Sequence, residues 1–220
     1  MPEPIDSPVG PLDVVPDGLT TGSTVLVATA GDPSRSALGL RLLARFGTRD
    51  DTAVVVTTTE SAERTVETFE EFRSAANHPS IGLVDTISEQ QSVSARYDAN
   101  PVVYTPSPSD LERLVMALSE VAGQFAPSAG DRHLLVRSLV PLLESTSTAR
   151  VCSVLDRVTG FRSETGLAIV GLDYTETDEK TMTTVAERVD GILWATQGSS
   201  ESVELTYRPA RGRHASQAGY

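Results

Sequence analysis

Apolar residues in this chain fall into short unbroken runs separated by stretches of helical periodicity. Thr24–Thr29, Ala53–Thr58, Ile81–Asp85, His133–Val136 and Leu167–Leu172 are short and rich in Val, Ile and Leu. They lack polar alternation, which predicts strands buried on both faces. Between them the period changes. Leu38, Leu42, Leu43 and Phe46 mark one face of a helix over Pro33–Phe46. Ser61 is placed to cap a helix running to Arg73, with Glu63 and Glu67 in its early turns, where carboxylates suit the positive end of the helix dipole. Further helices are predicted over Leu111–Phe125, starting near Ser109 or Asp110, over Thr146–Thr159, stopped by Gly160, and over Glu176–Val189. Ile192–Thr196 and Val203–Tyr207 read as closing strands. Thr86–Pro108 carries weak signals and reads as a surface excursion.

Strand–helix alternation of this kind predicts an α/β fold, with a mostly parallel central sheet covered by helices on both faces and antiparallel strands closing the C-terminal end. Pro2, Pro4, Pro8, Pro11 and Pro16 mark residues 1–20 as an extended lead-in. One domain is expected over residues 21–208, and residues 209–220 form a basic, small-residue tail.

Composition narrows the class. The 220 residues are 39% hydrophobic, enough for one sizeable core. No apolar run has the length of a membrane span, and the N-terminus lacks the charged-then-apolar pattern of a leader. The expectation is a cytoplasmic protein without a membrane partner. Cys152 is the single cysteine, so internal disulfides and cysteine-based zinc sites are excluded. It lies in an apolar helical pattern and is expected to pack there. His133 sits in an apolar strand and is expected to be a satisfied core histidine, and the three histidines lack metal-ligand spacing. Asp173, Glu176, Asp178 and Glu179 form an acidic run, either a cation attractor or a solvated helix start.

Net charge is −12, and Lys180 is the one lysine among 18 basic residues. Such a surface suits molar salt, where the Debye length falls to about 3 Å. It also disfavours nucleic acid as a partner. An acidic protein from a GC-rich genome would show the same preference for arginine.

The first strand, turn and helix have the outline of a phosphate-binding loop, G-x-x-x-x-G-K-[ST]. In its place stands Thr29-Ala30-Gly31-Asp32-Pro33-Ser34-Arg35-Ser36. Other segments agree with a known family in order: Pro11-Leu12-Asp13 to Gly18-Leu19, Gly22 and the strand Val25–Val27; AVVVTTTE over Ala53–Glu60; HLLVRSLVPLL over His133–Leu143; Gly166–Thr196; and Arg211-Gly212-Arg213-His214. Together they resemble the RecA/RadA superfamily of ATPases, and within it the KaiC-like branch common in archaea, here of haloarchaeal type. The resemblance spans roughly Pro11 to His214.

That resemblance implies a three-layer RecA-like fold and aligns the family's functional positions with residues that have changed. Thr29, Asp32 and Ser34 fall where the loop's glycines belong, which admit backbone N–H groups to phosphate. Arg35 replaces the lysine, and Ser36 alone keeps its type as a magnesium ligand. Walker B should end in an aspartate, and Arg137 stands there, followed by Ser138. A cation beside a divalent metal is repelled. Glu60 matches the water-activating glutamate, and also suits the start of the helix after Ser61. Two readings of the pocket stand: a salt-bridged plug made by Arg35 and Arg137 with Asp32 and other acids, or an unusual anion or nucleotide site. The C-terminal turn, with Arg208, Arg211, Gly212, Arg213 and His214, resembles the family's subunit-boundary segment.

The expected function is therefore that of a non-catalytic regulatory or scaffold subunit. It would need neither ATP nor magnesium and would associate with itself or a family paralogue through the RecA-like interface. The alternatives are a weak ATP-binding ATPase that needs a partner, with ATP and magnesium as cofactors, and a DNA-associated recombinase paralogue. The charge balance generates its own test. The melting temperature is expected to rise steadily with KCl towards molar concentrations, because screening relieves self-repulsion at net −12; a melting temperature independent of salt would show that the composition is not a salt adaptation.

Overall fold

The computed structural model describes residues 19–32, 37–72, 78–88, 94–97, 100–105, 107–125, 130–197 and 203–210. Its elements run β1 (Thr24–Thr29), α1 (Leu38–Phe46), β2 (Thr52–Thr57), α2 (Ala62–Glu71), β3 (Ser80–Asp85), β4 (Ser94–Tyr97), β5 (Asn100–Tyr104) and α3 (Leu111–Gln124). Then follow β6 (Arg132–Val136), α4 (Val140–Ser145), α5 (Thr148–Val158), a single 3-10 turn at Thr159–Phe161, β7 (Ala168–Asp173), α6 (Glu179–Ala186), β8 (Gly191–Gln197) and β9 (Val203–Pro209).

Among the described residues, nine strands form one sheet in the order β4-β5-β3-β2-β6-β7-β1-β8-β9. The run from β5 to β8 is parallel throughout, and β4 and β9 close its two ends antiparallel. In each central strand successive residues feed opposite layers, since side chains alternate across a sheet. Leu26, Val54, Val56, Leu134, Val136 and Val170 join the core under α3, α4, α5 and α6. Val25, Val27, Val55, Leu135 and Ile169 join the core under α1 and α2. Two covered faces explain why these strands carry unbroken apolar runs. The architecture is a three-layer α/β sandwich. Among the described residues, no helix is long and apolar enough to cross a membrane.

Capping decides where the helices begin. Ser61 Oγ accepts the Arg64 N–H (3.2 Å), Asp110 accepts that of Arg113 (3.1 Å), and Asp178 accepts that of Thr181 (2.9 Å). Each leaves one fewer N–H unsatisfied at a helix start. Asp178 therefore starts α6 later than the apolar period alone predicts. The preceding residues from Tyr174 onward turn around the carboxylate of Asp173 instead.

Two expectations are corrected. The helix predicted over Pro33–Phe46 is observed from Leu38; residues 33–36 lie outside the described set, and Ala37 enters the helix with φ of 50°. The surface excursion at Thr86–Pro108 contains two strands of the main sheet, β4 at its edge and β5 inside it. Pro101, Val102 and Val103 are buried, and Val102 pairs with Leu83. Pro101 disguises β5 in the sequence, because proline lacks an N–H for the ladder.

A carboxylate inside the fold

Asp85 ends β3 with no exposed surface. Its Oδ2 accepts the Ala62 N–H at the start of α2 (2.8 Å) and the Ser88 hydroxyl (2.8 Å). Its Oδ1 accepts the N–H groups of Ile87 (2.8 Å) and Ser88 (2.9 Å). A buried carboxylate is costly without such donors, and here it sits against the positive end of a helix. The pairing fixes α2 to the sheet, and α2 in turn carries part of the site described below.

Candidate nucleotide site at the carboxyl edge of the sheet

Parallel strands deliver their carboxyl ends to one edge, where ligands of open α/β sheets bind. On that edge the structure brings together Gly31 and Asp32 after β1, Glu60 after β2, Arg137 and Ser138 after β6, and Asp173 at the end of β7. Ser34, Arg35 and Ser36 lie outside the described residues.

Arg137 dominates this edge. Its N–H continues the ladder to the Val56 carbonyl (3.0 Å), which drives the side chain inward. The side chain is 2% exposed. Nη1 donates to Glu60 Oε2 at 2.6 Å and to Thr65 Oγ1 at 2.7 Å. Thr65 lies in α2 and is fully buried. One guanidinium therefore ties the end of β6 to the β2–α2 turn. Among the acids that a salt-bridged plug calls for, Glu60 is found on Arg137. Ser138 is buried too, and its atoms serve the turn: its carbonyl accepts from Thr58 Oγ1 (2.7 Å), and its Oγ accepts the Val140 N–H (3.3 Å).

The loop after β1 is also tied to the protein itself. Gly31 adopts φ of 91°, a conformation that a Cβ disfavours. Its N–H donates to Asp173 Oδ1 (3.0 Å), and its carbonyl accepts from Thr29 Oγ1 (2.6 Å). Asp173 Oδ1 also accepts the Thr175 N–H (2.9 Å) and hydroxyl (2.6 Å). Burial alone would raise the Asp173 pKa, but the donors from Thr175, Gly31 and Glu176 outweigh it and hold the carboxyl below its ordinary range. A carboxylate of the chain thus engages a backbone N–H of the loop. Between α1 and the sheet, beside Arg137, lies an apolar cavity of about 10 Å³ lined by Val27, Leu40, Leu135 and Ile169, room for about one water.

Asp173 and Thr65 were not legible as site residues. In the sequence Asp173 reads as part of an acidic run, a cation attractor or a helix start, yet it follows an apolar strand and precedes a polar turn, as Asp85 does. An aspartate at the end of a buried strand with Ser or Thr two or three residues later is the available signal, because such side chains close turns on their own backbone. Among the described residues, no three His, Cys, Asp or Glu side chains gather where they could hold one metal ion.

The remaining candidates lie away from this edge or outside the described residues. His133 is 3% exposed. Its Nδ1 accepts the Leu167 N–H (3.0 Å), so Nε2 carries the proton and faces Asp51 Oδ2 at 3.4 Å. Burial would raise the Asp51 pKa, but the N–H donors of Thr48 and Asp131, with His133, prevail and lower it. His133 is thus a satisfied core residue. Cys152 is buried, and burial pushes its thiol pKa up. Arg208 is exposed on β9. Arg211, Gly212, Arg213 and His214 lie outside the described residues.

Residues 22–193 match the model of the family of unknown function DUF7504. The chain belongs to DUF7504. No curated protein matches it in sequence. Among solved structures, the chain is similar to uncharacterized protein PH0321 from Pyrococcus horikoshii, crystallised in complex with an unknown peptide. That likeness has a TM-score of 0.58 and 12% identity over 87% of this chain and 84% of that one. PH0250 from Pyrococcus horikoshii OT3 gives a TM-score of 0.54 and 14% identity, covering 89% of this chain and 90% of that one. The flagellar accessory protein FlaH from Methanocaldococcus jannaschii gives 0.53 and 10%, covering 87% and 79%. At such identities the likeness is one of fold, and the fold of this DUF7504 chain is RecA-like.

The depressed pKa of Asp173 fixes the sign of an acid test. Its contribution is complete above the unfolded value of about 3.9 and is lost as pH falls through the lower folded value. Asp173→Asn should be less stable than wild type at neutral pH, with the gap narrowing below about pH 4. Thermal unfolding across pH measures this; a gap that stays constant or widens in acid would show that the Asp173 carboxylate does not hold the Gly31 and Thr175 turns.

Proposed function

We propose that this chain is a non-catalytic, KaiC-like member of the RecA-like proteins, acting as a regulatory or scaffold subunit in a haloarchaeal cytoplasm. The observation that carries this reading is the 2.6 Å ion pair between Arg137 and Glu60. The family resemblance puts a metal-supporting aspartate at the first position and the water-activating base at the second. A guanidinium at the first repels a divalent cation and engages the base, leaving Glu60 as a structural counter-ion. The Gly31–Asp173 bond supports the same conclusion from the side of the phosphates. Neither ATP nor magnesium is required. The remaining role is association, with another copy or with an intact paralogue through the RecA-like interface, to which Arg208 and the residues 211–214 belong by resemblance.

Two measurements at molar KCl test this. Phosphate release from Mg-ATP should not exceed that of buffer. Mg-ATP should also leave the melting temperature unchanged, whereas a ligand at 100 times its Kd would add about 2.7 kcal/mol. Glu60→Gln should lower stability by about 1–2 kcal/mol, discounted for the 28% exposure of the carboxylate, because it leaves the Arg137 charge without its counter-ion. Steady turnover that disappears in Glu60→Gln would overturn the proposal.

A further inference from the structure

The C-terminal edge of the sheet has a self-complementary pattern. β9 is the last strand in the order, and β8 is its one neighbour among the described residues. Ala210 N–H donates to the Asp190 carbonyl (2.9 Å), and Ile192–Arg208, Trp194–Thr206 and Thr196–Glu204 continue that register. In an antiparallel ladder, residues that bond inward alternate with residues whose N–H and C=O point away. Glu204, Thr206 and Arg208 therefore bond to β8, and the backbone groups of Val203, Leu205 and Tyr207 face outward. Pro209 falls in the outward set, where its missing N–H breaks no bond to β8.

We propose that β9 pairs with β9 of a second copy, antiparallel, about a two-fold axis at Thr206. In that register Leu205 stands opposite the partner's Tyr207, and each such pair exchanges two backbone hydrogen bonds on both sides of the axis. Thr206 meets the partner's Thr206. Glu204 meets the partner's Arg208, and Arg208 the partner's Glu204. These lie at non-hydrogen-bonded positions, where opposite side chains are closest. All three polar side chains are exposed, while Val203, Leu205 and Tyr207 pack partly against the core under α1 and α2. Moving the axis to Glu204 or to Arg208 would set like charges opposite each other, and an axis at Leu205 or Tyr207 would set each charge opposite an uncharged residue, so the register about Thr206 is the one that pairs opposite charges. The contact is isologous and closes at two copies. It shares Arg208 with the subunit-boundary segment named by resemblance but uses none of residues 211–214, and it does not depend on whether nucleotide binds.

The test uses the full chain in the lowest KCl at which it remains folded. Light scattering should give a dimer for wild type. Glu204→Arg and Arg208→Glu should each weaken it by about tenfold or more, since two symmetry-related pairs turn repulsive. The double variant Glu204→Arg, Arg208→Glu restores the pairing and should restore the dimer. Thr206→Cys should give a disulfide-linked dimer on mild oxidation, because Cα atoms of such a pair lie about 4.5 Å apart, within disulfide range. Glu204→Cys, facing an arginine, should not, and Cys152 is buried and does not compete. A monomeric wild type, a single reversal that leaves the dimer intact, failure of the double variant to recover, or a Thr206→Cys protein that crosslinks no better than Glu204→Cys would each overturn the proposal. A ring or filament insensitive to these substitutions would assign assembly to a surface that lacks Glu204 and Arg208 and would overturn the proposal.

Discussion

The arrangement of the sheet's carboxyl edge depends on how one buried positive charge is satisfied. Arg137 emerges from β6 between two strand ends, with its side chain 2% exposed. A charge at that depth persists only if paired and hydrogen-bonded. Glu60 and Thr65 meet that need, and both belong to the β2–α2 segment. Asp85 anchors the same helix start from β3. The β2–α2 turn is thus gripped from both neighbouring strands, and its position follows from electrostatics as much as from apolar packing.

The chain also shows how a fold used for anion binding can be satisfied from within. Parallel strands and helix starts bring backbone N–H groups to one edge, and those groups need acceptors. Here carboxylates of the chain supply them: Asp173 for Gly31 and the Thr175 turn, Asp85 for α2 and the Ile87–Ser88 turn. Acid appears beside the loop and base at the end of β6, a reciprocal exchange of charge. We read this as the physical basis of the scaffold role proposed above.

Much of the fold was legible because a sheet covered on both faces leaves unbroken apolar runs, and Ser61 and Asp110 announced their helices. β5 was hidden by Pro101, and the start of α6 was masked by the turn around Asp173. The candidate positions were legible only through family resemblance. Glu60 and Arg137 could be placed on strand ends, but their mutual contact joins residues far apart in sequence, and no local pattern encodes it. Thr65 looks like any polar residue of an amphipathic helix, and the arginine it faces comes from a strand far along the chain.

A double-mutant cycle on Arg137→Met and Glu60→Gln tests the central claim most directly. If the two side chains form one lock, Glu60→Gln should be costly in the wild-type background and nearly neutral once Arg137 is methionine. The coupling energy should be about 2 kcal/mol by denaturant unfolding. Additive effects, with coupling near zero, would show that Glu60 stands free of Arg137, and the account of a site closed by its own ion pair would fail.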